Sequence, residues 1–275
     1  MNWKLNTPKN FHIYWGGGIM PYLRFLTVKS FMKYNPDWEI MFWYPKYPST
    51  HTTWPTGELC YPVDCDDYTS EMLKLPIKST AVDFDDIGFK NSATEVHKSD
   101  FIRLYLLTTF GGVWSDMDIL YFKPITNLSI NISENKNIET FVCISGYGHS
   151  IGFLMSQPRN KFFETLLNII KSRPDPKDYQ VIGPTLYNEY FRDINKIIQL
   201  SSVINLNMNV VYSHNAGSIP DFLSNIPPRF TDESIGAHWY AGHSQWSEFF
   251  KTTNGGLTNL SNNIIGNLIK KINEE

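Results

Sequence analysis

Residues 92–122 read SATEVHKSDFIRLYLLTTFGGVWSDMDILYF, and this stretch decides the fold. Its first four residues, Ser92-Ala93-Thr94-Glu95, have the form of a helix capping box. We expect a helix to run from there to Phe110 and to end at Gly111-Gly112, because glycine readily adopts the conformation that terminates helices. A β-rich segment, Val113 to Phe122, follows at once. A helix that leads directly into a strand indicates an α/β fold.

The N-terminal part of the chain predicts a β-α-β unit. The aromatic and β-branched run from Phe11 to Trp15 reads as a strand, and Gly16-Gly17-Gly18 closes it. A helix is predicted from Pro21 to Tyr34 and a second strand from Trp38 to Tyr44. Parallel strands joined in this way place ligand sites at their carboxyl ends. Trp15 and the glycines should therefore lie at the mouth of a site.

The rest of the chain continues the α/β pattern without an internal repeat. Residues 45–90 predict loops with short helices. The other predicted elements are strands at Phe141–Ser145, Ile151–Met155 and Asn205–Tyr212, and helices at Lys161–Ser172 and Tyr187–Gln199. The tail from Leu257 to Ile272 carries an apolar helical stripe. Such a stripe indicates a helix packed on its own domain, or a peripheral membrane contact.

Composition limits the classes of protein to consider. The 275 residues are 42% hydrophobic and 19% charged, which is typical of a globular chain and excludes disorder. A net charge of −3 argues against a broad nucleic-acid surface. The three cysteines, Cys60, Cys65 and Cys143, are too few for a disulfide framework, so we expect reduced thiols. No run reaches membrane-span or signal-peptide length, and we expect a cytoplasmic protein.

Four charged residues in the deciding stretch carry the candidate chemistry. Asp116 and Asp118 are two apart, so in an extended chain both carboxylates point the same way and suit magnesium or manganese. Asp100 and Arg103 are three apart on one helix face, close to that strand. A second interpretation is a turn in which both acids are solvated and Asp100 and Arg103 form a surface pair. The local chemistry leaves both interpretations open.

These residues, with the opening His-x-x-Trp-x-Gly-Gly of residues 12–18, resemble the glycosyltransferases with a "sugar-binding region containing DXD motif". The family includes yeast-type initiating mannosyltransferases, α-1,4-galactosyltransferases and, more distantly, the glucosylating domain of large clostridial toxins. The resemblance is close over residues 11–44 and 92–125 and loose over 141–190. It implies a GT-A fold, Rossmann-like with a mixed sheet, and metal-dependent transfer from a nucleotide-sugar with retention of anomeric configuration.

The resemblance also implies donor-binding roles for residues of the first half. Trp15, with Gly16 beside it, corresponds to the aromatic residue that stacks on the donor base. Asp100 and Arg103 match residues that hold the ribose and the donor sugar. Trp114 stands where many relatives carry tyrosine, so any hydrogen bond from that position must come from the indole N–H or be lost.

The resemblance places the metal on the two acids and on a C-terminal histidine. Asp118 corresponds to the direct metal ligand, and Asp116 to a contact with the ion, ribose or sugar. His238, in the segment 238–246, is the candidate third ligand, and His243 competes with it. The same segment is the candidate lid, and its Ser244 and Trp246 match residues near the β-phosphate. Gly183-Pro184-Thr185 resembles a turn on the acceptor side.

The sequence therefore predicts a single GT-A domain over residues 1–275. Residues 11–125 form the nucleotide-sugar half, 126–256 the acceptor half and lid, and 257–275 a C-terminal helix. The expected enzyme uses Asp116, Asp118 and Arg103, with manganese or magnesium, to move a hexose from a UDP-sugar to a glycan or other hydroxyl acceptor, as in polysaccharide biosynthesis. Two alternatives remain open: the same chemistry with GDP-mannose, and a non-catalytic protein that binds nucleotide-sugars or glycans.

Overall fold

The computed structural model of the chain describes residues 7–16, 18–49, 65–128, 138–145, 148–173, 178, 180–190, 202–258 and 261–274. The strands are β1 (Asn10–Tyr14), β2 (Glu39–Pro45), β3 (Lys78–Val82), β4 (Gly112–Ser115), β5 (Ile119–Tyr121), β6 (Thr140–Ser145), β7 (Gly148–Ser156), β8 (Val203–Leu206) and β9 (Gly236–His238). The α-helices are α1 (Tyr22–Tyr34), α2 (Thr69–Leu73), α3 (Glu95–Thr109), α4 (Lys161–Ser172), α5 (Pro184–Tyr190), α6 (Ile219–Phe222), α7 (Trp246–Thr253) and α8 (Ile264–Asn273). Short 3-10 turns lie at Ile125–Asn127, Met208–Val210 and Ala216–Ser218.

A mixed sheet of seven strands forms the centre, in the order β3-β2-β1-β4-β7-β6-β8. Strand β1 pairs in parallel with β2 on one side and with β4 on the other, whereas β7 runs antiparallel to β4. The chain therefore reverses its direction of winding between β1 and β4. In open α/β sheets, the carboxyl ends of the strands at such a switch point border the ligand crevice. The predicted α/β fold with a mixed sheet is confirmed.

Both faces of the central sheet are buried. Val113 of β4 packs into the core that α1 and α8 share, while its neighbour Trp114 packs into the core under α3 and α4. This division follows from the alternation of side chains along a strand. Strands covered on both faces are expected to be continuously apolar, and β4 is buried at every position.

Gly112 allows β4 to lie beside β1. Its φ is +103°, a conformation that side chains with a Cβ rarely adopt, and a Cβ there would lie 2.4 Å from the carbonyl oxygen of Asn10. The predicted helix end at the glycine pair is thus also the start of the next strand. At its other end, α3 begins at Glu95, because the Thr94 side chain accepts the N–H of His97 at 3.4 Å. The predicted start at Ser92 was three residues early.

Three of the differences between prediction and structure concern strands. Strand β3 lies in the segment predicted as loops. The sequence did not predict it because it is an edge strand whose residues are mostly exposed and carry little apolar signal. The β-rich segment from Val113 to Phe122 breaks at a turn into β4 and β5, which belong to two different sheets. The strand predicted at Asn205–Tyr212 ends at Leu206, because the Asn207 side chain caps a 3-10 turn.

Helix α5 begins three residues earlier than predicted, and residues 191–199 of that prediction lie outside the described residues. Cys143 is a free thiol, as expected, while Cys60 lies outside the described part of the chain.

The C-terminal stripe belongs to a helix that packs on its own chain. Helix α8 buries Ile264, Ile265, Leu268, Ile269 and Ile272. Its last residue, Asn273, is hydrogen-bonded to the Tyr22 hydroxyl at 3.0 Å, which ties α8 to α1. The apolar face is therefore not available to a membrane surface. None of the helices that the structure describes is long and apolar enough to cross a membrane.

Candidate active site

A cavity of about 930 Å³ opens at the switch point between β1 and β4. Its wall is formed by the residues that follow β1 and β4, the first turns of α3, the middle of β7 and the end of β9. The wall includes these sequence-predicted residues: Trp15, Gly16, Asp100, Arg103, Asp116, Asp118, Pro184, Thr185, His238 and His243.

Asp116, Asp118 and His238 meet at one end of this cavity. One ligand atom from each residue lies within 4.8 Å of the others. The two acids lie in a turn between β4 and β5 rather than on the extended strand expected from their spacing. His238 reaches them because β5 pairs antiparallel with β9, which sets Ile119 opposite His238.

Asp118 is buried and ionised. Its Oδ2 accepts the N–H of Ala241 at 2.9 Å. Its Oδ1 lies 3.1 Å from Nε2 of His238, and apart from this contact Oδ1 has no hydrogen-bond partner among the described residues. Burial by itself raises the pKa of Asp118, but His238, Arg24 and the Ala241 N–H outweigh it and hold the pKa below its usual range.

This geometry fits a divalent cation. A buried carboxylate oxygen without a hydrogen-bond partner is costly unless another group satisfies it. Two carboxylates and one imidazole form a donor set that proteins use for divalent metals. The interpretation of Asp116 and Asp118 as two solvated acids is wrong for Asp118, which is 8% exposed.

Arg103 joins Asp100 to Asp116 in a buried ion pair network. Its guanidinium lies 2.9 Å from Asp100 Oδ1 and 3.5 Å from Asp116 Oδ1. It also donates to the carbonyl oxygen of Ile151 at 2.8 Å. Burial alone lowers the pKa of Arg103, but Asp116 and Asp100 outweigh it and raise the pKa. Because Asp100 and Arg103 are 5% and 4% exposed, the surface-pair interpretation is wrong.

Trp114 lies behind this network and outside the cavity wall. Its side chain is buried, and its indole N–H donates to Asp116 Oδ1 at 2.8 Å. The indole N–H thus supplies a hydrogen bond from this position, and it orients Asp116. Trp114 acts on the site through that acid, and the guanidinium of Arg103 stacks over its ring at 5.1 Å.

Trp15 also lies in the cavity wall. The side chain is half-buried, and its indole N–H donates to the carbonyl oxygen of Gly18 at 3.3 Å. The guanidinium carbon of Arg24 lies 4.9 Å from the Trp15 ring and 5.7 Å from the Trp239 ring. Arg24 also lines the cavity and stabilises the charge on Asp118. Sequence reasoning missed Arg24, since an arginine on an amphipathic helix reads as a solvated residue.

A buried ion pair lies under Gly16. Lys98 is fully buried and donates to Glu95 Oε1 at 2.9 Å, and the Tyr14 hydroxyl donates to Glu95 Oε2 at 2.5 Å. A Cβ on Gly16 would lie 1.9 Å from that same Oε2, which explains the glycine. Burial and the Glu95 charge both raise the pKa of Tyr14. The sequence pattern indicated only a helix-capping role for Glu95.

Only some residues of the segment predicted as a lid, 238–246, lie in the cavity wall. His243 is half-buried in the cavity wall. Ser244 is exposed and lies outside the wall. Trp246 is also outside the wall, because its ring packs edge-on against Trp239 at 5.0 Å in the aromatic core. Its Nε1 is buried without a hydrogen-bond partner in the part of the chain that the structure describes.

On the other side of the cavity, Gly183 packs against Asp100, and a Cβ at this glycine would lie 2.5 Å from Asp100 Oδ2. Pro184 and Thr185 continue into the wall. The predicted acceptor-side turn therefore lies beside the residues expected to hold the donor.

Comparison with known proteins supports the family that the sequence resembles. Residues 23–137 match the model of the family "Glycosyltransferase sugar-binding region containing DXD motif", which confirms the resemblance. This region includes α1, α3 and the Asp116-x-Asp118 turn. No match was found among curated protein sequences.

Solved structures share the fold at low sequence identity. The apo structure of the bifunctional glycosyltransferase WbbM matches with a TM-score of 0.50 and 10% identity, covering 100% of this chain and 51% of that chain. PaToxG glycosyltransferase matches with a TM-score of 0.48 and 16% identity, covering 70% and 72%. The galactosyltransferase LgtC, solved with donor and acceptor sugar analogs, matches with 0.46 and 15%, covering 92% and 97%. The fold is of the GT-A type. The family match over residues 23–137 supports a glycosyltransferase of the DXD family.

Proposed function

We propose that this chain is a metal-dependent, retaining glycosyltransferase that moves a hexose from a UDP-sugar to a hydroxyl group of a glycan or other acceptor. One observation carries the proposal. Asp116, Asp118 and His238 converge within 4.8 Å at the wall of a cavity large enough for a nucleotide-sugar, at the switch point of the sheet. The proposal treats residues 1–275 as one GT-A domain, with residues 11–125 binding the donor and 126–256 contributing the acceptor side.

The positions of the wall residues suggest how a donor lies in the cavity. Trp15 offers an aromatic face for the base, and Asp116, Asp118 and His238 mark the place of the diphosphate in the same cavity. Arg24 lies between Trp15 and Trp239, where its positive charge faces the path from base to metal. We assign Arg24 to the diphosphate, since a guanidinium binds phosphate oxygens in pairs.

Asp116, Asp118 and His238 are the residues that hold the divalent cation in this proposal. The imidazole ligand favours manganese over magnesium, because magnesium prefers oxygen ligands. The cation, when bound, neutralises the negative charge that develops on the leaving nucleoside diphosphate. Asp118 is suited to this role because its pKa is held low and it stays ionised.

Arg103 orients the transferred sugar. Asp100 and Asp116 hold its guanidinium from two sides, so its positive charge is fixed in the cavity wall before the sugar binds. His243 and Tyr240 narrow the cavity next to His238 and keep water from the reacting carbon. Retention rests on the family resemblance, and nuclear magnetic resonance of the product anomer tests it.

A thermal-shift screen tests the donor. Wild-type protein is mixed with UDP- and GDP-sugars, each with and without manganese, because a ligand that binds the native state raises its melting temperature. We expect UDP-hexoses with manganese to give the largest shift. A larger shift with GDP-mannose selects that donor instead. Binding without sugar transfer or donor hydrolysis identifies a non-catalytic binding protein.

The first prediction concerns Asp118→Asn. Asparagine keeps an oxygen for the Ala241 N–H but removes the negative charge next to His238. We expect manganese-dependent hydrolysis of the UDP-sugar to fall by about 100-fold or more, with the fold intact. Circular dichroism and the melting curve check the fold. Asp86→Asn, which changes an exposed acid outside the cavity wall, is the control and should keep full activity. Undiminished turnover in Asp118→Asn would refute the metal assignment.

A further inference from the structure

Tyr212 carries a buried hydroxyl group without a hydrogen-bond partner in the described part of the chain. The residue is 6% exposed, follows the 3-10 turn at Met208–Val210, and lines the cavity. Folded proteins satisfy the great majority of buried polar groups, because a hydroxyl taken out of water without a partner destabilises the fold. A phenylalanine in this position would have no hydroxyl and would not destabilise the fold in this way. The hydroxyl therefore has a hydrogen-bonding capacity that no described residue uses and that a group entering the cavity could use.

The surroundings of Tyr212 locate that ligand group. A Cβ on Gly152 would lie 3.1 Å from the Tyr212 hydroxyl oxygen and 2.8 Å from Asp116 Oδ2. The Tyr212 ring also lies 5.1 Å from the His238 ring, measured between centroids. The hydroxyl thus lies close to Asp116 and His238 in the cavity wall, and Gly152, which lacks a Cβ, lets Asp116 Oδ2 and the hydroxyl pack against its backbone.

The chemistry of these groups selects a sugar hydroxyl. Asp116 Oδ1 already accepts the Trp114 N–H, whereas Oδ2 is the oxygen next to Gly152 and Tyr212. A carboxylate can only accept, so a group that bonds to Asp116 Oδ2 must donate, and one that can also accept is able to take a hydrogen bond from the Tyr212 hydroxyl. A sugar hydroxyl has this property, whereas phosphate oxygens at neutral pH mainly accept.

We propose that the Tyr212 hydroxyl hydrogen-bonds a hydroxyl group of the transferred hexose, and that Tyr212 is a sugar-binding residue of the donor site. The inference rests on the proposed function and extends it. Tyr212 contributes to recognition of the sugar and adds nothing to recognition of the nucleotide. UDP alone ends at the diphosphate and does not reach this hydroxyl.

Tyr212→Phe tests the assignment, because it removes only the hydroxyl and keeps the ring. Calorimetry measures the Kd of UDP, UDP-glucose and UDP-galactose in the presence of manganese, and chromatography afterwards verifies that the donors are intact. We expect the affinity for at least one UDP-hexose to fall about 3- to 10-fold, as for the loss of one neutral hydrogen bond, with the affinity for UDP unchanged. The melting temperature of the free variant should equal or exceed that of the wild type.

Tyr121→Phe is the matched control. The Tyr121 hydroxyl is also buried, but it donates to Ser115 Oγ at 2.8 Å and lies outside the cavity wall. This variant should lose about 2–4 °C in melting temperature and keep the wild-type affinity for UDP and for both UDP-hexoses. Both variants remove one buried hydroxyl group. Tyr212→Phe should lower the affinity for a UDP-hexose and keep the melting temperature, whereas Tyr121→Phe should lower the melting temperature and keep the affinity.

The outcomes separate the two proposals. If the wild type does not bind UDP, both the proposed function and this assignment fail. If the wild type binds UDP normally, the Tyr212 assignment alone is overturned by any of three results: equal hexose affinity in wild type and Tyr212→Phe, an equal loss for UDP and UDP-hexose, or no gain in affinity from the hexose. A melting temperature as low as that of Tyr121→Phe would also overturn it, because it would reveal a structural partner for the hydroxyl.

Discussion

The indole ring of Trp15 is held in one orientation before any ligand arrives. Its N–H bonds to Gly18 and its face lies against Arg24. A half-buried aromatic ring fixed in this way loses little entropy when a base stacks on it. This pre-organisation separates Trp15 from an ordinary tryptophan at a strand end.

Trp15→Ala should weaken UDP binding by about 1–3 kcal/mol, because it removes the stacking surface for the base. Isothermal calorimetry measures the change. Trp15→Phe, which keeps an aromatic face, should retain most of the affinity. If alanine leaves the affinity for UDP unchanged, Trp15 is a core residue.

For single residues, the sequence predicted the acids of the site more readily than the basic residues that lie near the site. Asp116, Asp118 and the indole N–H of Trp114 belong to one short segment, so their proximity follows from chain connectivity. Arg24 and Lys98 contact residues far from them in sequence, and their roles depend on packing. Periodicity reports that such residues lie on helices but not what their side chains contact.

Among the elements, α8 shows that the role of an apolar helical face depends on what packs against it. The same stripe suits a core helix and a membrane-surface helix, and only the contacts with α1 decide between them.

Ile265→Ala tests this assignment of α8. Ile265 is fully buried, so its truncation should lower the free energy of unfolding by about 2–4 kcal/mol. Urea unfolding measures the loss. Leu257→Ala, which changes an exposed residue, should cost less than about 0.5 kcal/mol. Equal effects of the two substitutions would contradict the packing of α8.

Elements with a strong apolar pattern were predictable, and elements that depend on neighbouring chain segments were not. β1, α1, β2 and α4 were all predicted within about two residues of their bounds, since each buries a regular set of side chains. β3 was missed because an edge strand needs few apolar residues. The strand predicted through Tyr212 was wrong because a local side-chain cap stopped it.

For the whole molecule, the grouping of Asp116, Asp118 and His238 depends on a contact between distant parts of the chain. His238 reaches Asp118 only through the pairing of β5 with β9. A single sequence holds no record of which strands pair, so the choice between His238 and His243 stayed open until the structure placed His238 in the cluster. The roles of both histidines as ligands remain predictions.

The central sheet also contains a buried histidine that links stability to pH. His12 of β1 is 1% exposed and forms a hydrogen bond through Nε2 to the Gly111 carbonyl oxygen at 2.9 Å, while Nδ1 accepts the Trp43 N–H at 3.2 Å. These contacts suit the neutral ring. Burial lowers the pKa of His12 from 6.5 to about 4, although the Gly111 carbonyl raises it slightly.

The sign of the pH dependence follows from proton uptake. Between pH 6.5 and about 4, the unfolded chain protonates His12 while the native chain does not, so the unfolded state binds more protons. Stability should therefore fall as the pH is lowered through this window, by up to about 3 kcal/mol from His12 alone.

Urea unfolding at pH 7, 6 and 5 should show this loss in the wild type and a shallower one in His12→Gln. Glutamine keeps a donor for the Gly111 carbonyl but does not titrate. Other groups that titrate in this range are common to both proteins, so the difference between the two slopes isolates His12. Parallel slopes would mean that His12 accepts a proton in the native sheet as easily as in the unfolded chain, which its two hydrogen bonds and its burial argue against.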